Sequence, residues 1–382
     1  MEFSYVNQTQ IHFGKGQIAS IKNSIPKDKK VLVLYGGGSI KKNGVYQQVT
    51  DALTDHDWIE FSGIEPNPTM ETLDKAVALA KQAATQYILA VGGGSVIDGA
   101  KYVAAASLYE GQGWDILQGK YQAKTALPIG AILTLPATGS ESNPGAVITR
   151  AATQEKLSFY NPIVRPAFAI LDADVMKTLP DRQLVNGLLD AWVHVCEQYI
   201  TYPTGAMVQD GFAETLLKSL LTLAKDFDNR DSDHWRENLM WSANQALNGL
   251  IGSGVPQDWA THMLGHELTA LYGVDHARSL TIIQPSLLRN QIEAKRAKLE
   301  QMGKNVFALK HDQDLAEKTI VAIEQLYSSL DSEIQLEVPN EDKDITINRL
   351  MTQIEAHGLV AIGENQAITL KQTREILNSA VN

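Results

Sequence analysis

The chain has 382 residues, 44% hydrophobic and 20% charged, which is enough apolar material for a sizeable core and a length that suits two domains better than one. A net charge of -11 with no basic block excludes nucleic acid as the main partner, and a single cysteine, Cys196, excludes an intramolecular disulfide. The N-terminal MEFSYVNQTQIHFGKG has no basic segment followed by an apolar run, and no later stretch reaches the length of a membrane span, so a soluble, cytoplasmic globular protein is expected.

From residue 30 to about 172, short apolar runs alternate with glycine-rich turns and amphipathic stretches, as in KKVLVLYGGGS, QYILAVGGGSVIDGAKYVAAAS, GAILTLPATGSES and PAFAILDADV. That alternation predicts parallel βαβ units, an α/β Rossmann-like domain over residues 1–178. A loop from Asp172 to Pro180 marks the boundary. Beyond it, strand-like runs nearly vanish, and patterns such as LVNGLLDAWVHVCEQYI and SANQALNGLIG carry helical spacing, so residues 179–382 read as an all-α domain. Near the C-terminus, Thr369 and Gln372 have capping-box spacing ahead of an apolar-periodic run.

Three turns follow three strands. Gly92, Gly93 and Gly94 lead into Ser95 at the start of a helix; missing Cβ atoms let a phosphate approach the backbone, and free N–H groups at a helix start attract its charge. Gly36, Gly37 and Gly38 end an earlier strand where a dinucleotide site would carry an acid for the ribose 2′-hydroxyl. No acid stands there. Ser39, Lys41 and Lys42 follow instead, groups that can accept a 2′-phosphate, so NADP is expected over NAD. The third turn, LTLPATGSESN, offers hydroxyls at Thr134, Thr138, Ser140 and Ser142.

Asp190 and His194 are four apart in LLDAWVHVCE and share one face of a helix that is otherwise Leu, Val and Ala. A carboxylate on an apolar face needs a cation, a metal or a helix-end role. His262 and His266 are also four apart on a probable helix, in ATHMLGHELTALYGVDHA, and His276 lies past a loop. The metalloprotease pattern HExxH is absent, since Glu267 follows the second histidine. One aspartate and three histidines would give a divalent ion a mixed N/O shell, which leaves five candidates for four places. Spacing does not choose between His262 and His266.

These residues, with GGGSxxD at 92–98 and ATGSE at 137–141, closely resemble the iron-containing (group III) alcohol dehydrogenases, from IHFGKG at 11–16 through ITLKQTREIL at 368–377. YGGGSIKKNG, GIEPNP, LTLPATGSESN and DAWVHVCEQY are similar to the branch of bacterial NADPH-dependent aldehyde reductases and butanol dehydrogenases. The resemblance implies a Rossmann-like domain followed by a helical domain, reduction of aldehydes to primary alcohols, and one divalent metal, Fe²⁺ or Zn²⁺. It places Asp190, His194, His262 and His276 on the metal-ligand positions and His266 on a non-ligand histidine that assists proton transfer. Gly37, Gly38, Ser39, Gly93, Gly94, Ser95, Asp98, Thr134, Thr138 and Lys156 fall on cofactor positions, and NAD-preferring relatives carry an aspartate where Gly36 stands. The family also implies a homodimer, for which the alternating YVNQTQIHF is a suitable edge strand.

Three rivals remain at this level. A lyase or cyclase of the dehydroquinate-synthase-like fold would need more Lys and Arg near the metal motifs than Asp275-His276-Ala277-Arg278 provides. A metallohydrolase would leave the glycine turns without a purpose, and a non-catalytic NADP- or metal-binding protein is separated only by an assay of turnover.

Overall fold

The apolar runs of the first half form strands buried on both faces, as expected of a parallel sheet covered by helices. In the computed structural model, which describes residues 1–382, these are β1 (Gln10–Phe13), β2 (Val31–Tyr35), β3 (Trp58–Phe61), β4 (Tyr87–Gly92), β5 (Ile129–Leu133) and β8 (Phe168–Leu171). Every residue of β2, β4, β5 and β8 is buried. The six strands pair in the order β1-β8-β5-β4-β2-β3, all parallel.

That order positions the glycine turns. The chain runs outward from β2 to β3 and then returns to the other side of β2 to form β4, so the winding reverses between β2 and β4. Ligands of open α/β sheets bind at the carboxyl ends of strands at such a reversal. Tyr35 pairs with Val91 at the ends of β2 and β4, and Gly92 pairs with Leu133 of β5. All three polar turns therefore leave the same edge side by side.

Between β5 and β8 the chain adds an antiparallel hairpin, β6 (Gly145–Arg150) with β7 (Glu155–Tyr160), as a separate two-stranded sheet. The βαβ reading did not include it, because GAVITR lacks a long apolar run and the turn has no Asn-Gly or Asp-Gly signal. β1 is an edge strand of four residues, shorter than the alternation in YVNQTQIHF implies.

The second half is built from helices, among them Asp181–Tyr199, Met207–Lys225, Ala260–Tyr272, His276–Asn290, Ile292–Asn305, Leu315–Ser329, Lys343–Ala356 and Leu370–Ala380. Ala260, Leu264 and Leu268 on one helix pack with Ile283 and Leu287 on the next and with Leu350, Ile354, Ile376 and Leu377 from the C-terminal helices. The capping box at Thr369 and Gln372 is present. A two-residue ladder, β9 (Ala361–Ile362) with β10 (Ile368–Thr369), lies in this half, and an isolated bridge joins Leu336 to Val381. No helix is long and apolar enough to cross a membrane.

By contacts the chain divides into two units. One comprises Val6–Leu184 with Arg230–Asn244, the other Met1–Tyr5, Val185–Asn229 and Gln245–Asn382. The glycine turns belong to the first and the histidine motifs to the second.

Candidate metal centre and cofactor turns

In the helical unit, three helices bring the candidate ligands together. Asp181–Tyr199 carries Asp190 and His194 one turn apart, and Ala260–Tyr272 carries His262 and His266 one turn apart. The chain then turns through Gly273–Asp275, and His276 opens the helix His276–Asn290. Two features set this approach. A Cβ on Gly265 would stand 2.9 Å from Leu280 Cδ2 and from Ser279 Oγ, so any larger residue would have to displace both side chains where the two histidine-bearing helices pack. Asn186 Nδ2 donates to Asp275 Oδ2 at 2.9 Å, tying the turn before His276 to the helix that carries Asp190.

The polar atoms converge on one point. Donor atoms of Asp190, His194 and His262 all lie within 4.8 Å of one another. His262 Nε2 is 3.1 Å from His194 Nε2 and 3.9 Å from Asp190 Oδ1, while His276 Nε2 is 3.5 Å from the same carboxylate oxygen. The His266 ring is 5.2 Å from that of His276 and 6.1 Å from that of His262, centroid to centroid, and it is less buried than His262. All five candidates are thus brought together.

The environment suits a cation. The Asp190 side chain is 3% exposed and that of His194 5%. Burial, with the neighbouring His262, holds the His194 imidazole down to about pKa 4 against the pull of Asp190, so the ring is neutral at pH 7. His194 Nδ1 is buried with no hydrogen-bond partner, 3.8 Å from Asp190 Oδ1. Imidazoles gathered around one buried carboxylate have the donor chemistry of a first-row divalent metal site.

Glu197 was not singled out from the sequence. It lies three residues after His194 on the same helix, is 5% exposed, and receives the His262 ring through Nδ1. A carboxylate on the buried face of DAWVHVCEQY was the available signal, the same one that drew attention to Asp190.

In the sheet unit, Gly37 and Gly38 follow β2, and Ser39 is exposed at the head of a short 3-10 turn, Ser39–Lys41. Lys41 is engaged by Glu60, 3.5 Å away, and lies over the rings of Tyr35 and Tyr46. Lys42 is exposed. After β4, Gly93 is the N-cap of the helix Gly94–Ala106, whose first turn contains Ser95. A Cβ on Gly94 would stand 2.5 Å from Thr138 Oγ1, so glycine is what allows the third turn to lie against the helix start. Thr134 follows β5, with its N–H donating to Gly92 O at 3.0 Å.

Two of the candidates serve internal contacts. Asp98 accepts from Ser140 Oγ and, at 2.9 Å, from Val147 N, linking the helix to the third turn and to β6. Lys156 stands on β7 of the hairpin, and its Nζ donates to Asn67 Oδ1 at 2.9 Å. Beneath the turn, Lys101 is fully buried and donates to Ser140 Oγ, Asn143 Oδ1 and Gly145 O.

A parallel sheet with glycine-rich turns, joined in one chain to a helical unit bearing a carboxylate and histidine cluster, is an arrangement that suits an oxidoreductase with a candidate metal site. Family models bear this out: "Iron-containing alcohol dehydrogenase" matches residues 8–173 and "Fe-containing alcohol dehydrogenase family, C-terminal" matches residues 184–381. The chain belongs to the iron-containing alcohol dehydrogenase family, and is an enzyme of that family. It is 48% identical to the NADPH-dependent aldehyde reductase YqhD of Escherichia coli, with 99% of each chain covered. The crystal structure of E. coli YqhD superposes with a TM-score of 0.96 over 99% of this chain and 98% of that one. An NADH-dependent butanol dehydrogenase A from Thermotoga maritima, 36% identical, superposes with a TM-score of 0.93 over 100% and 99%.

Proposed function

We propose that this enzyme reduces aldehydes to primary alcohols with NADPH, with Asp190, His194, His262 and His276 holding one divalent ion and His266 acting on the proton. The observation that carries the proposal is the convergence of one buried carboxylate and three imidazoles within a few ångströms. When bound, the ion supplies Lewis acidity toward a carbonyl oxygen and the nicotinamide supplies a hydride.

The chain's own residues do the rest. Asp190 would offset one of the ion's two positive charges and the imidazoles would add lone pairs without charge, so the filled site would keep a net positive charge facing the carbonyl oxygen. His266, less buried than His262 and with its ring 5.2 Å from that of His276, is the histidine beside the proposed ligands that is left to move a proton. Three nitrogen donors and one oxygen donor accept Fe²⁺ or Zn²⁺.

In the sheet unit, the Gly93, Gly94 and Ser95 amides at the start of a 13-residue helix face a diphosphate, with Thr134 and Thr138 beside them. Gly37, Gly38 and Ser39 take the adenosine ribose. Asp98 and Lys156 act by holding the third turn and the hairpin in place. With no acid at Gly36 and with Lys41 engaged by Glu60, Ser39 and Lys42 are the contacts for a 2′-phosphate.

A lyase handling a polyanion is disfavoured, because Arg278 beside the metal motif is committed to Glu333 and to Asp331 O at 2.9 Å. A cytoplasmic homodimer completes the proposal; β1 leaves a free sheet edge, with Val6 61% and Phe13 38% exposed along that segment.

The test is NADPH oxidation with butyraldehyde, run beside NADH, before and after chelation and with Zn²⁺ or Fe²⁺ restored. Metal-dependent turnover favouring NADPH is expected. Absence of turnover with any metal, despite nucleotide binding, would overturn the reading.

A further inference from the structure

We infer that Glu197 is a positioning residue for the metal centre: it fixes His262 in the tautomer that leaves Nε2 bare toward Asp190 and His194. The inference rests on the ligand assignment above and adds to it a residue that touches neither ion nor substrate.

Both carboxylate oxygens of Glu197 are engaged. One oxygen of Glu197, Oε1, accepts from the backbone N–H of Thr261 at 2.7 Å and from that of His262 at 3.3 Å, two amides in the first turn of the helix Ala260–Tyr272. Burial and the neighbouring Asp258 push the Glu197 carboxyl well above its usual range, and these two helix-start amides pull it back toward the anion. The other oxygen, Oε2, meets His262 Nδ1. In the proposed arrangement Oε2 accepts from the ring, so that the imidazole donates through Nδ1 and turns its Nε2 lone pair inward. Nε2 is the atom that lies 3.1 Å from His194 Nε2 and 3.9 Å from Asp190 Oδ1.

The backing of Glu197 is rigid. Its carbonyl accepts from Asp258 N at 2.8 Å, and Asp258 is held by Lys295 at 2.8 Å. Lys295, 2% exposed, also binds Glu364 and the carbonyl of Ile200, both at 2.9 Å. A single helix, Asp181–Tyr199, thus supplies two candidate ligands and, one turn further on, the group that orients a third carried by another helix.

The test is Glu197→Gln. The amide keeps an oxygen for the Thr261 and His262 N–H groups but presents an NH₂ to Nδ1, which forces the ring proton onto Nε2. The expected result is a loss of about 10- to 100-fold in Zn²⁺ affinity, the range typical of such outer partners, read by competition with a chromogenic chelator. NADPH affinity should stay within about twofold. A group that merely caps the helix would lower the melting temperature of the metal-free variant and leave Zn²⁺ affinity of the folded protein unchanged, which would overturn the inference.

A second measurement needs no variant to fold. Nitrogen-15 histidine spectra of the metal-free wild type should show His262 protonated on Nδ1; protonation on Nε2 would refute the role of Glu197. If wild type itself binds no Zn²⁺, the ligand assignment falls and the inference with it. If wild type and Glu197→Gln bind equally, only Glu197 falls.

Discussion

Replacing Lys101 with methionine should destabilise the sheet unit and weaken NADPH binding while sparing the metal centre. The lysine Nζ donates at 2.7 Å to Ser140 Oγ, 3.1 Å to Asn143 Oδ1 and 2.6 Å to Gly145 O, with no exposure to water. Three hydrogen bonds from a charged donor contribute about 2 kcal/mol each, roughly 6 kcal/mol together. Against that stands the burial of the amine, which pushes its pKa from 10.5 down to about 8 despite the nearby charges of Asp98 and Glu141. That depression corresponds to about 3 kcal/mol that the apolar methionine recovers. The net loss is about 3 kcal/mol, at the lower end of what breaking a buried charged contact costs.

Because all three acceptors lie between Ser140 and Gly145, the slack appears in the turn that contains Thr138, beside the start of the helix Gly94–Ala106. Urea denaturation should show the stability loss, and KM for NADPH should rise several-fold with Zn²⁺ affinity unchanged. A stability loss below about 1 kcal/mol would refute the energetic reasoning. A full loss with unchanged KM would refute the link to the cofactor turn.

His262→Ala should empty the metal site, measured as metal content after gel filtration, whereas His266→Ala should retain metal and lose roughly 10²- to 10⁴-fold in kcat, the range of a lost general acid. The opposite pattern would exchange the two roles. Lys42→Ala should raise KM for NADPH about tenfold, the value of one charge-assisted contact, and leave KM for NADH unchanged. Lys41→Ala should do less, since Glu60, Tyr35 and Tyr46 already engage that side chain. Equal effects of the two on both cofactors would contradict a 2′-phosphate contact.

The architecture was legible where local periodicity carries it. VLVLY and YILAVG are apolar at every position, which only a strand buried on both faces requires, and Asp190 with His194 share a face because a helix returns every 3.6 residues. The absence of an acid at Gly36 was readable in the same way, from a strand end and the residues after it. The hairpin of β6 and β7 was not readable, since its ladder joins two segments whose patterning is weak on each side.

Other facts depend on groups distant in sequence. Nothing near Lys41 in the sequence shows that β3 brings Glu60 beside it, and nothing near Asp98 shows that the third turn and β6 place Ser140 and Val147 on its two oxygens. The pairing of Glu197 with His262 spans 65 residues and exists only because two helices cross at that point. By itself the sequence determined which residue types stand on which face of each local element, because backbone periodicity is set by neighbours a few residues away. The tertiary structure decided which of those faces meet and therefore whether each polar atom is met by another side chain or left for a ligand, because that depends on long-range packing no local spacing encodes.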